Sequence, residues 1–123
     1  MDMTRYRAVF LEEASDHLAE LSRGLLELEK DAAEGASIDL AFRMAHSIKG
    51  MASSLYYDSI SEAAHELESQ MQAIRARGRA EPAEMAPLFA GLEELEFLIA
   101  HVRSHGEAPP RRSAAKKKTL KPC

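Results

Sequence analysis

Three features of the sequence predict an all-α fold, an antiparallel up-down-up-down four-helix bundle with a flexible basic C-terminal tail. Apolar residues recur three or four positions apart through four separate stretches, the period of a helix that buries one stripe. The stretches are joined by short segments around Gly35, Asp58 and Gly78, and short connections make consecutive helices antiparallel neighbours. No stretch shows the period-two alternation of a half-buried strand. Residues 1–106 are read as the bundle and residues 107–123 as a Pro/Lys/Arg-rich linker or tail.

The first helix is expected from Thr4 to Lys30, with Tyr6, Phe10, Ala14, Leu18, Leu21, Leu25 and Leu28 along one stripe. Residues 31–37, with Gly35 among them, turn the chain, and Ser37 is a plausible N-cap for a second helix from Ile38 to Leu55. Its inward positions are Ala41, Phe42, Ala45, Ile48, Ala52 and Leu55, which leaves His46 and Lys49 at the edge of the buried stripe. Ser59 and Glu62 have the spacing of a capping box, so a third helix is placed from Ser59 to Arg77. Ile60, Ala63, Ala64, Leu67, Met71 and Ile74 form its stripe, with His65 and Glu68 beside it. Gly78 closes that helix, and Pro82 suits the first turn of a fourth that reaches Ser104. Leu88, Phe89, Leu92, Leu95, Leu98, Ile99 and Val102 face inward there. Pro87 lacks a backbone donor, so either the regular helix starts after Pro82 or its first turns bend.

A chain of 123 residues, 46% apolar and 29% charged, is sized and composed for a single core. Its one cysteine is Cys123, which rules out an internal disulfide framework and favours a reducing compartment. No secretory leader is recognised, and no apolar run approaches the roughly 20 residues of a membrane span, so the expected location is cytoplasmic. The net charge is −4, yet residues 109–123 carry six cations and no acid, which leaves −10 on the first 108 residues. An acidic body of this kind argues against nucleic-acid binding by the folded part. The basic tail reads as a solvated linker, with contact to an anionic surface as the alternative.

Chemistry concentrates in the run from Ala45 to Ala52, AHSIKGMA. At about 3.6 residues per turn, Lys49 and Gly50 lie one turn beyond His46 on nearly the same face. Glycine inside a helix costs about 1 kcal/mol relative to alanine, so position 50 needs a reason. Either the bare backbone gives a partner access to the imidazole, or Gly50 permits close helix packing or a kink. In an antiparallel hairpin, His46 lies about nine residues before the end of the second helix and Glu68 about nine after the start of the third, so the two can meet. A carboxylate that accepts one ring N–H fixes the tautomer and leaves the other nitrogen free to attack phosphorus. His46 is therefore read as a phosphoryl carrier.

The segments FRMAHSIKG and HELE within this helical pattern resemble the histidine-containing phosphotransfer (HPt) domain, most closely the N-terminal phosphorylatable domain of CheA-type chemotaxis histidine kinases. The resemblance runs from about Tyr6 to Val102. It implies that His46 is phosphorylated, that Lys49 helps neutralise phosphate oxygens, and that His65 and Glu68 are polar partners from the third helix. After Gly50 the family usually continues with small residues, roughly GAGTFGF, where this chain has MASSLYY, placing Met51, Ser53 and Tyr56 at positions where glycine is common.

No glycine-rich phosphate loop and no acidic metal cluster is present in the sequence, so ATP and Mg²⁺ are expected on partner domains and the chain is not a kinase on its own. The resemblance implies two partners: a histidine kinase catalytic domain that loads His46, and a response-regulator receiver that takes the phosphoryl group onto an aspartate. His17, His101 and His105 are read as surface residues rather than metal ligands. The linker suggests a piece of a longer CheA-like kinase. A free-standing phosphorelay carrier, or a helical interaction bundle that has lost transfer activity, remain the alternatives.

Overall fold

The structure is a computed structural model that describes residues 3–111. The described residues form four helices: α1 (Met3–Lys30), α2 (Gly35–Ser54), α3 (Asp58–Arg77) and α4 (Pro82–His105). Helix α2 packs between α1 and α3, and α4 closes the ring against both of them, so each helix touches two neighbours. This is the predicted up-down-up-down bundle.

The stripes anticipated from the 3.6-residue period meet in one core. Leu21, Leu25 and Leu28 of α1, Ile48 of α2, Ile60, Leu67, Met71 and Ile74 of α3, and Leu88, Leu95, Leu98 and Val102 of α4 are fully buried. Each such side chain contributes about 1.5–3 kcal/mol through removal from water. Helices α3 and α4 approach closely at Gly91, where an added methyl would lie 2.9 Å from a Leu67 methyl. Tyr6 departs from its expected place: it is 48% exposed, although Leu28 at the other end of the stripe is buried. With 28 residues against 20 in α2, α1 is about 12 Å longer at 1.5 Å per residue, and its first turns project past the neighbours that would cover Tyr6.

The helix ends differ from the sequence expectation where tertiary contacts set them. Helix α2 starts at Gly35 rather than Ile38, because Glu34 is its N-cap and its carboxylate accepts the Ser37 N–H at 2.8 Å. Ser37, expected as the cap, lies inside the first turn and is buried. Helix α3 starts at Asp58, with Tyr57 as N-cap and no side-chain cap. The Tyr57 ring is buried edge-on against Phe10, 5.1 Å between centroids, and this anchor places the helix start one residue ahead of Ser59. The predicted Ser59–Glu62 capping box is therefore absent, and the Ser59 hydroxyl is buried with no hydrogen-bond partner.

The α2–α3 connection closes α2 in a Schellman motif, with the Tyr57 N–H on the Ala52 carbonyl at 2.9 Å and the Tyr56 N–H on the Ser53 carbonyl at 3.2 Å. Its C′ residue is Tyr56, at φ 61° and 85% exposed. A left-handed conformation costs a side-chain-bearing residue about 1–2 kcal/mol, which is the physical reason glycine suits this position. Helix α4 begins at Pro82, where the Glu84 carboxylate accepts the Glu81 N–H at 2.7 Å, and it continues through Pro87 with that one donor missing. Gly106, at φ 83°, ends it.

Beyond Gly106 the structure differs at Arg111 from the reading of residues 109–123 as a solvated linker. Arg111 is only 7% exposed. Its guanidinium donates to Glu66 of α3 at 2.7 and 2.8 Å and to Glu94 of α4 at 2.8 and 3.2 Å. The sequence gives no local cue for this, since the three residues converge only when α3 and α4 lie side by side. The expected flexible basic tail from Arg112 to Cys123 lies outside the described residues.

Candidate phosphoryl-transfer site

Helices α2 and α3 carry the site, and they meet with the register that the hairpin argument requires. His46 is on the outer edge of α2 because its neighbours Ala45 and Ile48 occupy the buried stripe. Its side chain is 62% exposed. Glu68 sits one position beyond the buried Leu67 of α3, so its stem is covered while its carboxylate reaches the α2 edge. One oxygen of Glu68 is 2.5 Å from His46 Nδ1, and the other accepts from Lys49 Nζ at 2.6 Å. Lys49 is one turn beyond His46, so a single carboxylate bridges two residues on the same helix face.

Burial of Glu68 pushes its carboxyl pKa up, but the hydrogen bonds from Lys49 and His46, together with their charges, outweigh this and hold it below the ordinary glutamate value. Glu68 is therefore an anion across the physiological range. An anionic partner on Nδ1 selects the tautomer with the proton there, which leaves the lone pair on Nε2. The ring is thus held by one nitrogen and offers the other to solvent.

Gly50 borders this face, and a methyl placed on it would meet no atom within 4 Å. Close packing therefore does not explain the glycine. His65 is not brought into the cluster: it is exposed and makes no hydrogen bond or ion pair among the described residues. It lies three residues before Glu68 on α3, and the hydrogen-bond network it was expected to extend does not include it. His101 and His105 stack on each other at 4.0 Å between centroids, His17 lies apart on α1, and among the described residues no three metal-binding side chains converge.

Sequence reasoning placed Phe42 simply in the core and did not single out Arg75. The structure sets Phe42 half-buried beside His46, their rings 6.3 Å apart and 14° from parallel, with the Arg75 guanidinium 4.6 Å from the Phe42 centroid. The four-residue spacing from Phe42 to His46 and the seven-residue spacing from Glu68 to Arg75 were the available signals. Each keeps its pair on one helix face.

A protein-family model described as the Hpt domain matches residues 5–105. The chemotaxis protein CheA of Bacillus subtilis is 32% identical over 108 residues, covering 87% of this chain and 16% of that protein. The chain therefore spans about one-sixth of the length of that curated relative. Among solved structures, the CheA phosphotransferase domain from Thermotoga maritima superposes with a TM-score of 0.74 at 29% identity, covering 83% of this chain and 97% of that one. A solution structure of the histidine phosphotransfer domain of CheA gives a TM-score of 0.78 at 30% identity, covering 86% of this chain and 80% of its own. The match spans all four helices and contains His46, Lys49 and Glu68, and the chain belongs to the Hpt domain family.

Proposed function

We propose that this chain is the phosphoryl-carrying module of a chemotaxis-type two-component system, with His46 as the residue that accepts and donates the phosphoryl group. The observation that carries the reading is the exposed imidazole whose Nδ1 is held at 2.5 Å by the Glu68 carboxylate. In the loading step the Nε2 lone pair attacks the γ-phosphorus of ATP held by a separate kinase domain, the bond to the β-phosphate oxygen breaks, and ADP leaves. The Nδ1 proton stays on the ring against Glu68, which stabilises the positive charge that develops as the N–P bond forms. Lys49, already paired with Glu68, places a cation beside the incoming oxygens.

In the unloading step a receiver aspartate oxygen attacks the phosphorus, the P–N bond breaks, and its electron pair returns to Nε2. ATP and Mg²⁺ belong to the partner domains, and the setting is the cytoplasm. Among the described residues no helix is long and apolar enough to cross a membrane. His65, exposed on the same helix as Glu68, is retained only as a residue near the partner-facing edge.

Incubation with a CheA-type kinase catalytic core and radiolabelled ATP tests the reading. Label that is acid-labile and alkali-stable, and lost in His46→Gln, is the expected result. Label that persists in that variant, or a folded parent chain that takes up none, overturns it.

A further inference from the structure

A single hydrogen bond at Nδ1 leaves an exposed imidazole free to tilt about the nitrogen–oxygen axis. Something else must define the plane of the ring. Helical side chains lean toward the helix N-terminus, so His46 leans over the turn that carries Phe42. The Phe42 ring is its near-parallel aromatic neighbour, 6.3 Å away between centroids and within 14° of parallel. Phe42 is itself only half-buried, and its remaining freedom is limited from α3, where the Arg75 guanidinium lies 4.6 Å from its centroid. That is within the range at which a cation is attracted to an aromatic face. Arg75 is held in turn by Asp39 at 3.5 Å, and Asp39 also pairs with Arg43 at 2.9 Å.

We infer that Arg75 is a positioning residue for the phosphoryl-transfer reaction, acting through Phe42: by clamping the Phe42 ring from α3 it fixes the plane in which His46 presents Nε2. The inference rests on the reading of His46 as the phosphoryl carrier. It differs from a docking role because it requires no partner protein. A contact between Arg75 and a partner would be felt only when that partner is present, whereas a restraint on the ring is felt by any phosphoryl donor.

Phosphoramidate, a small-molecule donor, separates the two. Nε2 attacks its phosphorus, the P–N bond of the donor breaks, and the donor nitrogen, already protonated in the zwitterion, leaves as ammonia. Arg75→Ala is expected to lower the rate with phosphoramidate, and kcat with a CheA-type kinase core and ATP, by the same factor of about two to five, the ratio that corresponds to an exposed cation–π contact. KM for the kinase core stays at the parent value. Ring-proton NMR signals of Phe42 and His46 should change in Arg75→Ala while those of His101 and His105 do not. Arg75→Lys, which keeps a cation over the ring, should recover most of the rate, and Arg75→Gln should not; melting curves confirm that all variants are folded under the assay conditions.

A phosphoramidate rate equal to the parent's, a change confined to KM for the kinase core, or a lysine variant as slow as the glutamine one overturns the inference while leaving His46 as the carrier. A parent chain that is phosphorylated by neither donor at His46 overturns the underlying reading instead, and the ring signals still report whether Arg75 restrains Phe42.

Discussion

Two charge clusters flank α3, and they are built with opposite logic. On the α2 side one carboxylate, Glu68, lies between two cation-forming groups, His46 and Lys49, and the histidine is mostly in solvent. On the α4 side one cation, Arg111, lies between Glu66 and Glu94, and its guanidinium is enclosed. The hydrogen bonds that Arg111 donates to Glu66 and then to Glu94 raise its pKa further above the ordinary arginine value, so it is a fixed charge. The first arrangement holds one imidazole nitrogen and leaves the other free, and under the proposed function it stabilises the charge that develops during transfer. The second uses up the donors it directs at its partners and holds Arg111 against α3 and α4. With the acid at the centre the imidazole stays exposed, and with the cation at the centre the guanidinium is enclosed as a staple.

That contrast is tested most strongly at Glu68. Glu68→Gln keeps the shape but removes the charge, and a hydrogen bond to a charged group is worth about 1.5–3 kcal/mol, so phosphorylation of His46 should slow by roughly 10- to 100-fold with the helical content unchanged. Kinase assays alongside circular dichroism measure both quantities, and an unchanged rate removes Glu68 from the mechanism. Arg111→Ala should do the reverse. Breaking a buried ion pair costs 3–5 kcal/mol, but Glu66 stays half in water, so a loss of about 1–3 kcal/mol is expected, with the phosphorylation rate at 25 °C within twofold of the parent. Thermal melting decides the point: an unaltered midpoint means that the staple does not contribute to stability.

Acid sharpens the comparison further. Because the Glu68 carboxyl has a lower pKa in the folded state than in the unfolded chain, its contribution to stability is fully present above the ordinary glutamate range. It is lost as pH falls through the folded value, since the unfolded chain takes up the proton first. The difference in melting temperature between parent and Glu68→Gln should therefore shrink below about pH 4, as the parent is neutralised. A difference that stays constant from neutral pH to pH 3 contradicts the origin assigned to the shift.

The smallest expected effect is at Gly50. With no atom within 4 Å of an added methyl, Gly50→Ala should raise stability by up to about 1 kcal/mol. Transfer from the kinase should slow, because the methyl intrudes on the surface a partner covers beside His46. A variant that is as fast as the parent shows that the partner approaches from another side, and one that is less stable shows that the backbone at Gly50 is not ordinary helix.

Much of this protein was legible without coordinates because its information is local and periodic. The apolar spacing of Leu21, Leu25 and Leu28, or of Leu88, Leu95, Leu98 and Val102, specifies helices with one buried side wherever they pack. The turn residue Gly78 acts through its own φ angle. The meeting of His46 with Glu68 also followed from the sequence, since a short connection fixes the register of an antiparallel pair. Helix starts were less legible: Ser37 and Ser59 both have the chemistry of caps, yet Glu34 reaches the first turn of α2, and the packing of Tyr57 on Phe10 sets the start of α3.

The exposure of His65, the contact of Arg75 with Phe42 and the docking of Arg111 were decided by tertiary structure alone. A helical period says which face a residue occupies but not which neighbour stands opposite. Arg111 is 45 residues from Glu66 and 17 from Glu94, and no local pattern links such separations. Only the packing of α3 against α4 brings those carboxylates together and removes a tail arginine from water.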